Sequence, residues 1–117
     1  MTEKIKEVII DLTIDDSGLA SHISEKINGF LQSIFIEKTA LGPIKILITH
    51  EYWDNLKILD TNLQNTVEYF FPEVQVTSEV REEKFTFRTT KYPLNDRLKI
   101  DLSGLQNTKI KITIRYM

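Results

Sequence analysis

The stretch from Arg97 to Met117 alternates strictly between apolar and polar residues, which marks it as extended chain. Leu98, Ile100 and Leu102 interleave with Arg97, Lys99, Asp101 and Ser103; after Gly104 the same period returns, with Ile110, Ile112, Ile114 and Tyr116 against Lys109, Lys111, Thr113 and Arg115. Successive side chains of a strand point to opposite faces, so each arm has one buried side and one wet side. The two arms are expected to pair as a terminal hairpin. A two-stranded ribbon alone is marginal in water, so its apolar side needs a covering layer. The even-numbered apolar residues of this hairpin, with Ile23, Ile27, Ile46, Ile48 and Leu63, are the expected core.

Upstream, Lys6 to Ile14 alternates again and is rich in β-branched residues, which predicts a first strand. Asp15, Asp16, Ser17 and Gly18 then turn the chain and offer oxygens to a helix start. Leu19, Ile23, Ile27, Phe30 or Leu31, and Ile34 recur at three-and-four spacing, which predicts an amphipathic helix over Leu19 to Lys38, weakened at Gly29. Gly42-Pro43 ends it, and Ile44 to Thr49 reads as an interior strand parallel to the first. Tyr52, Leu56, Leu59, Leu63, Val67 and Phe70 hold helical spacing up to Phe71-Pro72, as one helix bent at Asp60-Thr61-Asn62 or two joined there. Val74 and Val76, then Phe85 and Phe87, alternate around a charged turn at Arg81-Glu82-Glu83 and predict an antiparallel hairpin. Tyr92 to Asp96 reads as a loop, because Pro93 cannot donate to a ladder. The expected order is β-α-β-α-β-β-β-β. That is an α+β two-layer sandwich, a mixed sheet of about five to six strands covered on one face by two helices.

Composition narrows the class without naming a chemistry. A chain of 117 residues, 41% hydrophobic and 27% charged, has the make-up of one globular domain spanning 1–117. There is no cysteine, which removes disulfides, thiolate metal sites and thiol nucleophiles and suits an intracellular protein. The apolar run near the start, Val8-Ile9-Ile10, is too short for a signal peptide or a membrane span, so a cytoplasmic chain with no membrane partner is expected. The net charge of −2 is unevenly spread: residues 1–80 carry −7 and residues 81–117 carry +5.

His50, Glu51 and Trp53 sit where the second strand was expected to lead into the second helix, a position at which α/β sheets commonly bind ligands. His50 and Glu51 could there act as acid and base, whereas an ordinary reading gives helix capping to Thr49 or His50 and packing to Trp53. His22 is expected to be a solvated flank. Two histidines without cysteine offer no zinc spacing, so no metal site is expected. Asp11, Asp15 and Asp16 are hard oxygen ligands, but their spacing matches no magnesium or calcium loop, and turn and cap roles account for them. The scattered glycines 18, 29, 42 and 104 form no phosphate-cradling loop, and no cofactor is expected.

The outward positions of the late strands carry Lys84, Arg88, Arg97, Lys99, Lys109, Lys111 and Arg115. If these strands are neighbours, the cations form one basic sheet face able to contact a partner. Phe85, Phe87 and Tyr116 have inward parity, which counts against base stacking and so against single-stranded nucleic acid. The run through Phe71, Pro72, Glu73 and Val74 to Lys109–Tyr116 resembles small phage tail and baseplate proteins. The resemblance implies a structural role in a phage or mobile element and carries over no functional residue. Three function classes stand. The first is a non-enzymatic assembly module contacting a protein or its own copies, as a homo-oligomer, through the basic face and an edge strand. The second is a nucleic-acid or polyanion binder using the same face, and the third a small enzyme built on His50 and Glu51.

Overall fold

The structure, a computed structural model, describes residues 4–51, 57–81 and 84–117, with the side chains of 74–90 outside the description. Among the described residues every regular element is a strand. In order they are β1 (Lys6–Ile14), β2 (Leu19–Lys38), β3 (Ile44–His50), β4 (Lys57–Leu63), β5 (Val67–Phe70), β6 (Glu73–Arg81), β7 (Lys84–Lys91), β8 (Pro93–Gly104) and β9 (Thr108–Tyr116). The α+β sandwich expected from the sequence is therefore replaced by an all-β fold. A single antiparallel sheet of seven strands runs β1-β9-β2-β8-β3-β4 with β5 also beside β2, and β6 and β7 pair separately.

The first expected helix is the twenty-residue strand β2, with the same bounds. Its first part pairs with β8, from Leu19 opposite Ser103 to Phe30 opposite Pro93; its last part pairs with β9 and β5, from Leu31 to Lys38. Four-residue spacing of Leu19, Ile23, Ile27 and Leu31 is two strand periods as well as about one helical turn. Irregularities between Ile23 and Lys26 and between Leu31 and Ser33 then shift the parity by one, which turns a four into a three. At the first of these Ser24 replaces a missing ladder partner: Leu98 N donates to its hydroxyl at 2.9 Å, and the hydroxyl donates to Glu25 O at 2.8 Å.

The second expected helix is overturned in the same way. Of its apolar positions, Tyr52 and Leu56 lie outside the described residues. Leu59 and Leu63 are in β4, Val67 and Phe70 in β5, and Gln64 to Thr66 separate the two strands. β1 and β3 are not neighbours and form no parallel pair, since each pairs only with antiparallel strands, and the expected loop at Pro93 is the start of β8, where a proline is tolerated. The hairpin of β6 and β7 is present, with Arg81 opposite Lys84.

The terminal hairpin is corrected too. Both arms are strands with their even-numbered residues inward, but β8 pairs with β2 and β3, while β9 pairs with β1 and β2. Leu105 to Asn107 carries the chain from one half of the sheet to the other, with Asn107 in the left-handed region at φ 57°. The bend of β2 brings these halves over a common core. Ile10, Ile34, Ile112 and Ile114 of the β1-β9-β2-β5 half and Ile46, Ile48, Leu63, Leu98 and Ile100 of the β2-β8-β3-β4 half belong to one buried cluster. Ile27 is in it as expected; Ile23 is not, and stands 47% exposed.

Candidate functional site

The topology sorts the seven outward cations into three places. Lys109, Lys111 and Arg115 lie on the outer face of the β1-β9-β2-β5 half, and Arg97 and Lys99 on that of the other half. Lys84 and Arg88 are on β7 of the separate ribbon, and their side chains lie outside the described residues. β8 and β9 are not neighbours, so the seven share no single face.

On the first half, the cations of β9 are flanked by acidic strands. Lys111 stands between Asp11 of β1 and Glu37 of β2, and Arg115 stands opposite Glu7, whose Oε1 accepts from Arg115 Nε at 2.9 Å. The negative N-terminal and positive C-terminal segments thus meet inside one sheet. On these strands Glu7, Asp11 and Glu37 offset Lys109, Lys111 and Arg115, and the face has little net field. The Arg115–Glu7 pair is solvent-exposed, where such pairs contribute at most about 1 kcal/mol.

Between the charged rows runs an apolar one. The register places Ile9, Thr113, Phe35 and Tyr69 side by side across β1, β9, β2 and β5. The rings of Phe35 and Tyr69 stack with centroids 4.2 Å apart, and Phe71 continues the stack at 6.2 Å. Tyr69 and Ile9 are each 52% exposed and Phe71 is 68% exposed. Beside Phe71 an open groove of about 340 Å³ is bordered by Ile5, Gln32, Lys91 and Arg115. Three stacked aromatics of which two are largely open to solvent, on a charge-balanced sheet face, form the composition found at the centre of protein interfaces.

His50 and Glu51 are not brought together. His50 ends β3 opposite Leu98, is only 7% exposed, and its Nδ1 has no hydrogen-bond partner among the described residues. Glu51 is exposed and its backbone N–H donates to Arg97 O at 2.9 Å. Trp53 lies outside the described residues. Thr49, read from sequence as a helix cap, is in β3 between Lys99 and Lys57.

His22 is exposed, as a solvated flank would be. Asp15 holds the β1–β2 turn, its Oδ1 accepting from Ser17 N at 2.9 Å and from the Ser17 hydroxyl. Those bonds to the carboxylate lower its pKa. Among the described residues no three or more of His, Asp and Glu gather as a metal site, and no helix is long and apolar enough to cross a membrane.

The helical spacing of residues 19–38 and 52–71 conceals the cross-strand neighbours of Phe35 and Tyr69, so the aromatic face shows only once the strands are paired. No protein-family model, curated protein or solved structure matches the chain.

Proposed function

We propose that this chain is a non-enzymatic protein-interaction module that docks onto a protein surface through the outer face of the β1-β9-β2-β5 half. The observation that carries the reading is the exposed stack of Phe35, Tyr69 and Phe71 on a face whose charges balance one another. Its rings offer large apolar area at low side-chain entropy, and the paired charges on either side of them can stay solvated at the edge of a contact. Lys109, Lys111 and Arg115 then serve as the polar rim that sets orientation. A nucleic-acid reading draws less support from this face, since phosphate binding needs uncompensated cations. An enzymatic reading would need His50 and Glu51 to converge on one cavity, and the burial of one and exposure of the other do not favour it.

The test compares recovery of the native complex by the wild type, a Tyr69→Ser, Phe71→Ser double variant, and Lys99→Glu on the other half. The double variant is expected to keep its fold, because both rings are largely solvent-exposed, and to lose the complex; Lys99→Glu is expected to retain it. Loss with Lys99→Glu and retention by the double variant would transfer the function to the opposite face.

A further inference from the structure

Among the described residues β5 pairs with β2 alone, over the four residues from Val67 opposite Glu37 to Phe70 opposite Ile34. None of its side chains is fully buried: Val67 and Tyr69 stand outward and exposed, and the inward Glu68 and Phe70 are half-buried. Every other strand of the seven-stranded sheet places at least two apolar side chains in the buried core. Local stability follows buried apolar contact, so β5 is the strand held least firmly. One of its two inward residues is moreover a charge. Glu68 Oε2 is sealed from solvent and has no hydrogen-bond partner among the described residues. The Lys38 amine attracts this carboxylate, but its Nζ donates to Gly42 O and Leu63 O. A buried acceptor without a donor costs its desolvation, and lifting β5 into water recovers that cost. The chain leading into β5 is fastened by contrast: Lys38 N donates to Thr66 O, and its Nζ to Leu63 O, each at 2.8 Å.

We infer that β5 is a strap that lifts from β2 while the rest of the sheet stays folded, with the unpartnered Glu68 carboxylate as its release and closure of the strap as the step that completes the aromatic face. The hinge lies at Thr66, the last point at which Lys38 holds the chain. Beyond it the strap carries Tyr69, whose ring stacks on Phe35 of β2, and leads into Phe71, which continues that stack. When β5 lifts, Phe35 stays with β2 and the two other rings leave it, so the three-ring face exists only in the closed form. A partner that recognises the whole stack binds the closed fraction alone, and its apparent affinity falls as the strap opens. This link to binding rests on the docking face proposed above; the lifting of β5 is a property of the chain by itself.

Amide hydrogen exchange resolved by NMR tests the strap on the full chain. The β5 amides bonded to β2 are expected to exchange on the order of tenfold or more faster than those at the centre of β9 around Ile112, which open only with the whole fold. Glu68→Met keeps the length of the side chain and removes the carboxylate. It should slow β5 exchange on the order of several-fold to tenfold. The same change takes a counter-charge from Lys38, but that loss is present whether the strap is open or closed. It therefore shows in the β9 amides, which report global unfolding, and not in the difference between β9 and β5. In the native complex the β5 amides should slow toward the β9 rate. Exchange of β5 at the β9 rate in the isolated wild type would overturn the inference, and so would a Glu68→Met chain whose β5 opens as readily as before relative to β9. Fast β5 exchange in the isolated chain that the complex leaves unchanged would uphold the lifting and overturn its link to the docking face.

Discussion

The backbone carbonyl of Met117 occupies the place where a side chain on Gly29 would begin. Next to it, Phe30 N donates to Met117 O at 2.7 Å and Met117 N to Phe30 O at 3.0 Å, while Leu31 N donates to Tyr92 O at 2.9 Å. At these three residues β2 leaves β8 and takes up β9, so the passage between the two halves of the sheet depends on a close backbone approach that only glycine permits. Gly29 also has φ +142°, a conformation L side chains rarely adopt. Gly29→Ala should cost on the order of 1–3 kcal/mol from strain alone, and more once Met117 is displaced. Denaturant unfolding measures it, and a wild-type midpoint would show that β2 does not turn there.

Ile112 sits at the centre of β9 between Ile10 of β1 and Ile36 of β2, fully buried. Ile112→Ala should cost about 2–5 kcal/mol, as cavity-forming changes in a packed core do, with the denaturant slope unchanged. Thr108→Ser, a smaller truncation at the end of the same strand, should cost less.

The pattern of residues identified strands and faces more readily than partners. β1 was legible with its bounds, β3 to within a residue, and both arms of 97–117 with the right face inward, because alternation reports which side of a strand is buried. It does not report which strand lies alongside, and β8 and β9, adjacent in sequence, turned out to be partners of β2 in different halves. The extent of β2 was legible but its type was not: bulged alternation imitates a helical period. A discriminating signal was present in Ile23, Ile27, Ile34 and Ile36 with Gly29 between them, a β-branched set poorly suited to a helix interior. The cations of the candidate face could be read from parity, but Glu7, Asp11 and Glu37, which offset them, come from strands far away in sequence and needed the topology.

Lys38 is a buried amine with a structural role. It is 6% exposed, and its Nζ donates to Gly42 O and Leu63 O, the latter at 2.8 Å, tying the end of β2 to the β2–β3 connection and to β4. Burial pushes its pKa down, opposed in part by the nearby Glu68 carboxylate. The folded value therefore lies below the unfolded lysine value of about 10.4, and between the two the unfolded chain holds more protons. Stability should rise with pH through that alkaline window, and Lys38→Met should abolish the rise. At neutral pH the same variant removes the Lys38 donor from both carbonyls and should cost roughly 1–3 kcal/mol for each that is left without another donor or water. Unfolding free energies of both proteins on either side of the window check the sign.

The central functional claim concerns Tyr69 and Phe71, and the most direct measurement is side-chain oxidative footprinting of the chain alone and in its native complex. The account predicts that both rings, open in the isolated chain, become protected on assembly, while Leu19 and Ile23, exposed on the β2-β8-β3-β4 half, keep their reactivity. Equal labelling of Tyr69 and Phe71 in the two states, with protection confined to Leu19 and Ile23, would contradict it.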